Sequence, residues 1–201
     1  MTADALDVSV LTGRDPEFAA LVPDLARLRI TVFREFPYLY EGSRAYEEKY
    51  LATYMNCPDS VAVVVRDGTR VVGASTGLPL VAETAEFRQP FRAQGYRPSE
   101  IFYCGESVLL AEYRGRGLYR AFFEGRERHA RALGGFRFMA LCAVVRGDDH
   151  PRRPPGYAPL DPVWQRFGYT RHPELVAQYT WQDLDEDAPS AKDMVFWLKA
   201  L

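Results

Sequence analysis

The stretch Ile101-Phe-Tyr-Cys-Gly-Glu-Ser-Val-Leu-Leu-Ala-Glu-Tyr-Arg-Gly-Arg-Gly-Leu-Tyr-Arg120 decides the reading of the whole chain. Its first half alternates and then runs apolar, as a buried strand does. Arg114-Gly115-Arg116-Gly117 is too glycine-rich and too charged to continue that strand. A helical pattern opens at once, with Leu118, Phe122 and Phe123 on one face and Arg120, Glu124, Arg126 and Glu127 outside. The order is strand, glycine-rich basic turn, helix. Such a turn offers bare backbone N–H groups at the positive end of a helix dipole, which favours an anion such as a phosphate. It is not a P-loop, because no Gly-Lys-Ser/Thr follows. Gly115-x-Gly117 also lacks the third glycine of a dinucleotide-binding turn.

The remaining composition narrows the setting. At 201 residues, with 47% hydrophobic and 26% charged residues, the chain suits one globular domain over 1–201 with its own core. A net charge of −2 gives no general attraction to nucleic acid. Arginine outnumbers lysine and much of it lies between Arg114 and Arg153, a bias that suits one localised anionic ligand. Cys57, Cys104 and Cys142 are odd in number and widely spaced, so neither a zinc site nor a disulfide framework is expected. The start, Met1 to Leu6, has no basic or apolar run, and no segment approaches membrane-spanning length. A cytoplasmic protein without membrane or nucleic-acid partners is expected, with a homodimer left open.

Along the chain, Leu6–Leu11 alternates as a strand, and Asp15-Pro16 opens a helical pattern that runs to about Phe36. Pro23 inside it predicts two helices or one kinked helix. A second helical pattern begins at Ser43 and stops at Asn56-Cys57-Pro58-Asp59. Ser60–Val65 and Arg70–Leu78, joined through Asp67-Gly68, predict a hairpin. Residues 79–100 hold one short helix in a connection longer than a simple turn, the length expected of a lid. Gly134-Gly135 ends the long helix, Phe136–Val145 reads as a buried strand, and residues 146–160 read as loop. Asp161-Pro162 restarts a short helix. Two strands, about Leu175–Gln182 and Asp193–Leu198, close the chain across an acidic connection.

Glu112-Tyr113-Arg114-Gly115-Arg116-Gly117-Leu118-Tyr119-Arg120-Ala121 resembles the acetyl-CoA motif of the GNAT acetyltransferase superfamily, Gln/Arg-x-x-Gly-x-Gly/Ala. Arg114 and Gly117 match it, whereas Tyr119 stands where a small residue is usual. The resemblance implies an α/β fold with a mixed, mostly antiparallel seven-stranded sheet, helices on both faces and a splay between strands four and five that admits the cofactor. It also implies transfer of an acetyl group from acetyl-CoA directly to a primary amine, either a small molecule or a peptide amino group. Arg114, Gly115, Arg116, Gly117, Leu118, Tyr119 and Arg120 would then hold the pyrophosphate, and the backbones of Val108 and Leu109 would pair with the pantetheine arm. A catalytically inactive acyl-CoA sensor on the same fold is the alternative.

Glu106, in an otherwise apolar strand, is the expected general base, since burial raises a carboxyl pKa; pairing with an arginine is the competing reading. Trp164 occupies the place where the family often has an acid tyrosine, leaving Tyr157 as the first candidate acid, with Tyr103 and Cys104 behind it. His129 and His172 are expected on an outer helix face and in a turn. Asp148, Asp149 and His150 lie next to one another on a loop and define no metal geometry. The aromatic run Phe36 to Tyr54, with Glu41, Glu47 and Glu48, is the expected acceptor region.

Overall fold

The computed structural model describes residues 6–201. Strand β1 (Asp7–Thr12) leads into α1 (Pro16–Ala20) and α2 (Val22–Phe33), then α3 (Arg44–Met55). The break at Leu21 resolves the long helical pattern into two helices. Pro23 sits in the first turn of α2, where its missing N–H leaves no bond unmade. Ser43 caps α3 by accepting from the Tyr46 N–H at 3.3 Å. The Asp67-Gly68 hairpin joins β2 (Val61–Asp67) to β3 (Arg70–Pro79), with Gly68 at φ +55°.

Helix α4 (Ala85–Ala93) precedes β4 (Ile101–Leu109), α5 (Leu118–Leu133) and β5 (Phe138–Val144); α6 (Asp161–Arg166), β6 (Thr170–Trp181) and β7 (Ser190–Ala200) complete the chain. The seven strands form one open sheet in the order β1-β2-β3-β4-β5-β7-β6. Every neighbouring pair is antiparallel except β4 and β5, which the α5 crossover makes parallel.

Successive side chains of β4 show which helices lie on which face. Phe102 and Cys104 pack with Phe123 and Ala130 of α5, whereas Ile101 and Tyr103 pack with Phe87 and Phe91 of α4. Alternate residues of a strand point to opposite sides, so α5 and α4 cover opposite faces. The 79–100 segment is therefore no overhanging lid. Phe87 and Phe91 are buried against Tyr103 and Phe196, with ring centroids 5.3 Å and 4.7 Å apart for Phe87–Tyr103 and Phe91–Phe196. The last hairpin is longer than its sequence pattern. His172 pairs with Phe196 inside β6 and lies in no turn; the register shift between His172 and Val176 absorbs Pro173 and lets the strand continue.

Candidate active site

An irregularity in β4 generates the site. Ser107 lies opposite Ser75 and Cys104 opposite Gly77, so Gly105 and Glu106 together face the single residue Thr76. Such a bulge bends its strand and releases backbone groups from the ladder. Pairing of β4 with β5 stops just before it, at Tyr103 and Ala140, while β5 continues along β7 as far as Val144. The two strands part there. A cleft of about 400 Å³ opens between them, lined on the β4 side by Cys104 to Ser107 and on the β5 side by Leu141 to Val144.

On the α5 face the released carbonyls meet a cation. Arg126 Nη1 donates to the Glu106 carbonyl at 3.0 Å and to the Thr76 carbonyl at 3.4 Å. Arg126 is 2% exposed, its Nε has no partner, and among the described residues it forms no ion pair with a carboxylate. The helical pattern places it outside. It is instead three residues from Phe123 and four from Phe122 and lies on their buried stripe, a spacing that the sequence already carries.

The glycine turn stands at the start of the same helix. Gly115 and Gly117 have φ of +76° and +78°, and no atom lies within 4 Å of where a Cβ would be on either. Gly117 caps α5 without a side-chain bond, which leaves first-turn N–H groups without an intrahelical partner, although that of Arg120 bonds the Gly117 carbonyl at 3.1 Å. The arginine side chains are engaged elsewhere. Arg114 forms a two-pronged pair with Glu35 at 2.8 and 3.0 Å and donates to the Leu109 carbonyl. Arg116 donates to the Glu112 carbonyl at 2.9 Å, and Arg120 lies 3.5 Å from Glu124. Tyr119 turns away from the turn, towards the cleft, where its hydroxyl donates to the Ser107 carbonyl at 3.3 Å. Leu118 packs on the core, and Val108 and Leu109 are buried in it rather than lining the cleft.

On the opposite face a narrow aromatic pocket is lined by Arg29, Tyr40, Tyr46, Tyr50, Phe87 and Tyr179, among others. It shares Phe33, Tyr38, Gly105 and Cys142 with the cleft, so the two spaces meet at the bulge. Gly105 is glycine for a steric reason: an added Cβ would fall 1.9 Å from the Tyr54 hydroxyl. Behind the pocket Arg29 bonds Glu47 through Nε and Glu106 Oε2 through Nη1 at 2.5 Å. Burial works against the Arg29 charge, but Glu106 and Glu47 outweigh it and push its pKa up. Glu106 Oε1 accepts from Thr76 Oγ1 at 2.7 Å, so both oxygens of the expected base are taken. A third carboxylate, Glu83, is 3% exposed and accepts from the Tyr54 hydroxyl at 3.2 Å. Burial pushes its pKa up, against hydrogen bonds from the Thr84 N–H and Tyr54.

Tyr157 lies on the cleft wall, edge-on to Phe36 with ring centroids 4.7 Å apart, and burial pushes its phenol up. Trp164 also lines the cleft and packs on Trp197. Tyr103 is buried on the pocket side and bonded to Cys142 Sγ at 3.1 Å; Cys104 is buried beside Tyr169. Burial pushes the Cys142 thiol up to about 12. His129 is half-buried, 2.9 Å from the Asp59 carbonyl, and the His150 ring lies tilted against Phe36 with centroids 5.7 Å apart. Glu41 and Glu48 pair with Arg34 and Arg44 at the surface, away from the pocket. Among the described residues no group of three His, Cys, Asp or Glu side chains is placed to hold a metal ion, and no helix is long and apolar enough to cross a membrane.

No family model and no curated protein matches the sequence. Solved structures do match. A GNAT-family acetyltransferase from Streptococcus pneumoniae superposes with a TM-score of 0.57 at 13% identity, covering 98% of this chain and 100% of that one. The chain has the GNAT fold. Ribosomal-protein-alanine N-acetyltransferase from Brucella melitensis gives a TM-score of 0.61 at 13% identity over 97% and 99% of the two chains. YncA from Salmonella typhimurium, solved with its cofactor acetyl-CoA, gives 0.57 at 11% identity over 98% and 95%. In this GNAT-fold chain the parting of β4 from β5 is the fold's cleft, and the glycine turn stands at the start of the helix that follows β4.

Proposed function

We propose that the protein transfers the acetyl group of acetyl-CoA directly to a primary amine. The observation that carries this reading is the bulge at Gly105 and Glu106, where the cleft and the aromatic pocket meet. Two ligands, one in each space, would meet where Gly105, Phe33, Tyr38 and Cys142 line both, which is what direct transfer between them needs.

The glycine turn fits the donor. Open N–H groups at the dipole end suit a pyrophosphate, and no side chain at Gly115 or Gly117 blocks the approach. When bound, acetyl-CoA supplies an acyl group already activated as a thioester. The backbone amides from Arg116 to Tyr119 would hold its phosphates; that of Arg120 already bonds the Gly117 carbonyl, and Arg114 secures the turn to Glu35. Beyond Tyr103 the β4 edge has no strand partner on the β5 side, and the pantetheine arm would lie along it, from the bulge towards Val108 and Leu109. Arg126 places a buried positive charge beside the bulge, which favours negative charge developing there. Tyr157 keeps a proton at its hydroxyl on the cleft wall, available to a departing sulfur.

The acceptor side suits a cation. Three carboxylates are buried beside the pocket, Glu47 and Glu106 bonded to the Arg29 guanidinium and Glu83 to the Tyr54 hydroxyl, and aromatic rings line the pocket itself. The name of the Brucella neighbour specifies an alanine amino group as its acceptor, in keeping with an amine here. The test is thiol release from acetyl-CoA across a panel of small primary amines and peptide amino termini. Release that depends on the amine is the expected result. Binding of CoA without release to any amine selects the sensor instead, and absence of CoA binding rejects both.

A further inference from the structure

An amine enters as an ammonium and must lose a proton before its lone pair can attack. Glu106 is poorly placed to take that proton, because Arg29 and Thr76 occupy its two oxygens. A second route begins in the pocket wall. The Tyr50 hydroxyl is 3.0 Å from the Tyr54 hydroxyl, which is 3.2 Å from Glu83 Oε1. The directions of these bonds follow from chemistry. An ionised carboxylate only accepts, so Tyr54 donates its single proton to Glu83. Tyr50 must then donate to Tyr54, which leaves lone pairs only on the hydroxyl oxygen of a residue that lines the pocket.

We infer that Tyr50, Tyr54 and Glu83 form a buried proton relay that deprotonates the acceptor amine, with Tyr50 touching the amine and Glu83 as the final base. The inference rests on the amine-transfer reading and adds its acceptor-side machinery. In the step, one ammonium N–H bond breaks as a Tyr50 O–H bond forms. The original Tyr50 proton passes to Tyr54, and the Tyr54 proton passes to Glu83 Oε1. One proton has moved and the nitrogen lone pair is free. The three shifts are concerted, since burial raises both phenol pKa values well above normal and disfavours a tyrosinate. Burial also raises the affinity of Glu83 for the proton. The groups facing Glu83 are Tyr54 from α3, the Thr84 N–H, and the charges of Arg29 on α2 and Glu106 on β4. Gly105 belongs to the same device, because any side chain there would displace the Tyr54 hydroxyl.

The experiment compares two aromatic probes at neutral pH, 2-phenylethylamine, which is an ammonium, and phenylhydrazine, which is largely neutral. For Glu83→Gln, Tyr54→Phe and Tyr50→Phe, kcat with 2-phenylethylamine should fall about 100-fold or more, the usual scale for a lost base. With phenylhydrazine the loss should stay within about threefold, because little proton remains to be removed. The Tyr54→Phe/Glu83→Gln double variant should lose no more than either single variant, as groups acting as a unit do. Equal losses for both probes, or full activity of Glu83→Gln, would overturn the relay while leaving amine transfer standing. A wild-type protein that binds acetyl-CoA yet acetylates neither probe overturns the relay together with amine transfer in this pocket. A readout free of turnover is carboxyl carbon NMR of the intact protein, with Glu83 assigned by the signal lost in Glu83→Gln. Tyr54→Phe should move the Glu83 titration further up, because a hydrogen bond to the charged form is lost. An unmoved titration breaks the relay at its last link.

Discussion

The two faces of β4 at the bulge are built from opposite charge. Towards α5 lie Arg126, with no carboxylate partner among the described residues, and the N–H groups of the Gly117 turn. Towards α2, α3 and the segment leading into α4 lie Glu47 and Glu106, bonded to Arg29, and Glu83, bonded to the Tyr54 hydroxyl, behind a wall of tyrosines. One strand thus separates a surface fitted to an anion from a pocket fitted to a cation, and Gly105 is the β4 residue that lines both. The contrast teaches that the bulge acts as a junction. It opens the sheet for one ligand and, by placing two consecutive residues opposite one, sets Glu106 against Arg29 and Thr76 and Gly105 against the Tyr54 hydroxyl on the side of the other.

The charge contrast is broken most severely at Arg29. Its removal in Arg29→Ala leaves Glu47 and Glu106 buried without their cation, and such losses cost about 3–5 kcal/mol. Urea unfolding should show this as a lower midpoint, and a change below about 1 kcal/mol, the worth of a surface pair, would deny that the trio is buried in solution. The junction itself is tested by Gly105→Ala. Its Cβ collides with the Tyr54 hydroxyl, so a cost of about 1–3 kcal/mol is expected. Tyr54→Phe in that background should recover part of the stability, since the colliding oxygen is gone.

A smaller effect, confined to the donor side, is expected for Gly117→Val. A β-branched residue at φ +78° strains the turn and covers its amides. CoA affinity measured calorimetrically should fall about tenfold, near 1.4 kcal/mol, with folding retained. The smallest effect concerns pH. The Glu83 pKa is raised in the fold, so its contribution to stability is fully present below the unfolded value and is lost as pH rises through the folded value. Glu83→Gln stays neutral throughout. Its thermal midpoint relative to wild type should therefore improve with rising pH across that window; a difference that shrinks with pH would reverse the sign of the shift.

Much of this arrangement is legible in the residues. The strand, turn and helix from Ile101 to Leu133 follow from periodicity and glycine placement, and Pro23 marks the division of α2 from α1. The site was legible only where it is local. Gly105 inside an apolar strand is a sign of close backbone approach, and the Phe122, Phe123, Arg126 spacing puts that arginine on the buried stripe. No such sign exists for the Arg29–Glu106 pair, whose members are 77 residues apart. Glu83 likewise gains its meaning only when α3 brings Tyr54 against it, and local pattern carries no record of that contact. His172 was misplaced because a proline normally ends a strand, and here a bulge accommodates it.

The most direct test of the central claim is a crystal structure of the protein with acetyl-CoA. The account predicts phosphates at the N–H groups of Arg116 to Tyr119 and a thioester between β4 and β5 beside Gly105, facing the tyrosine pocket. Phosphates away from that turn, or a thioester separated from the pocket by an intact β4–β5 ladder, would contradict it.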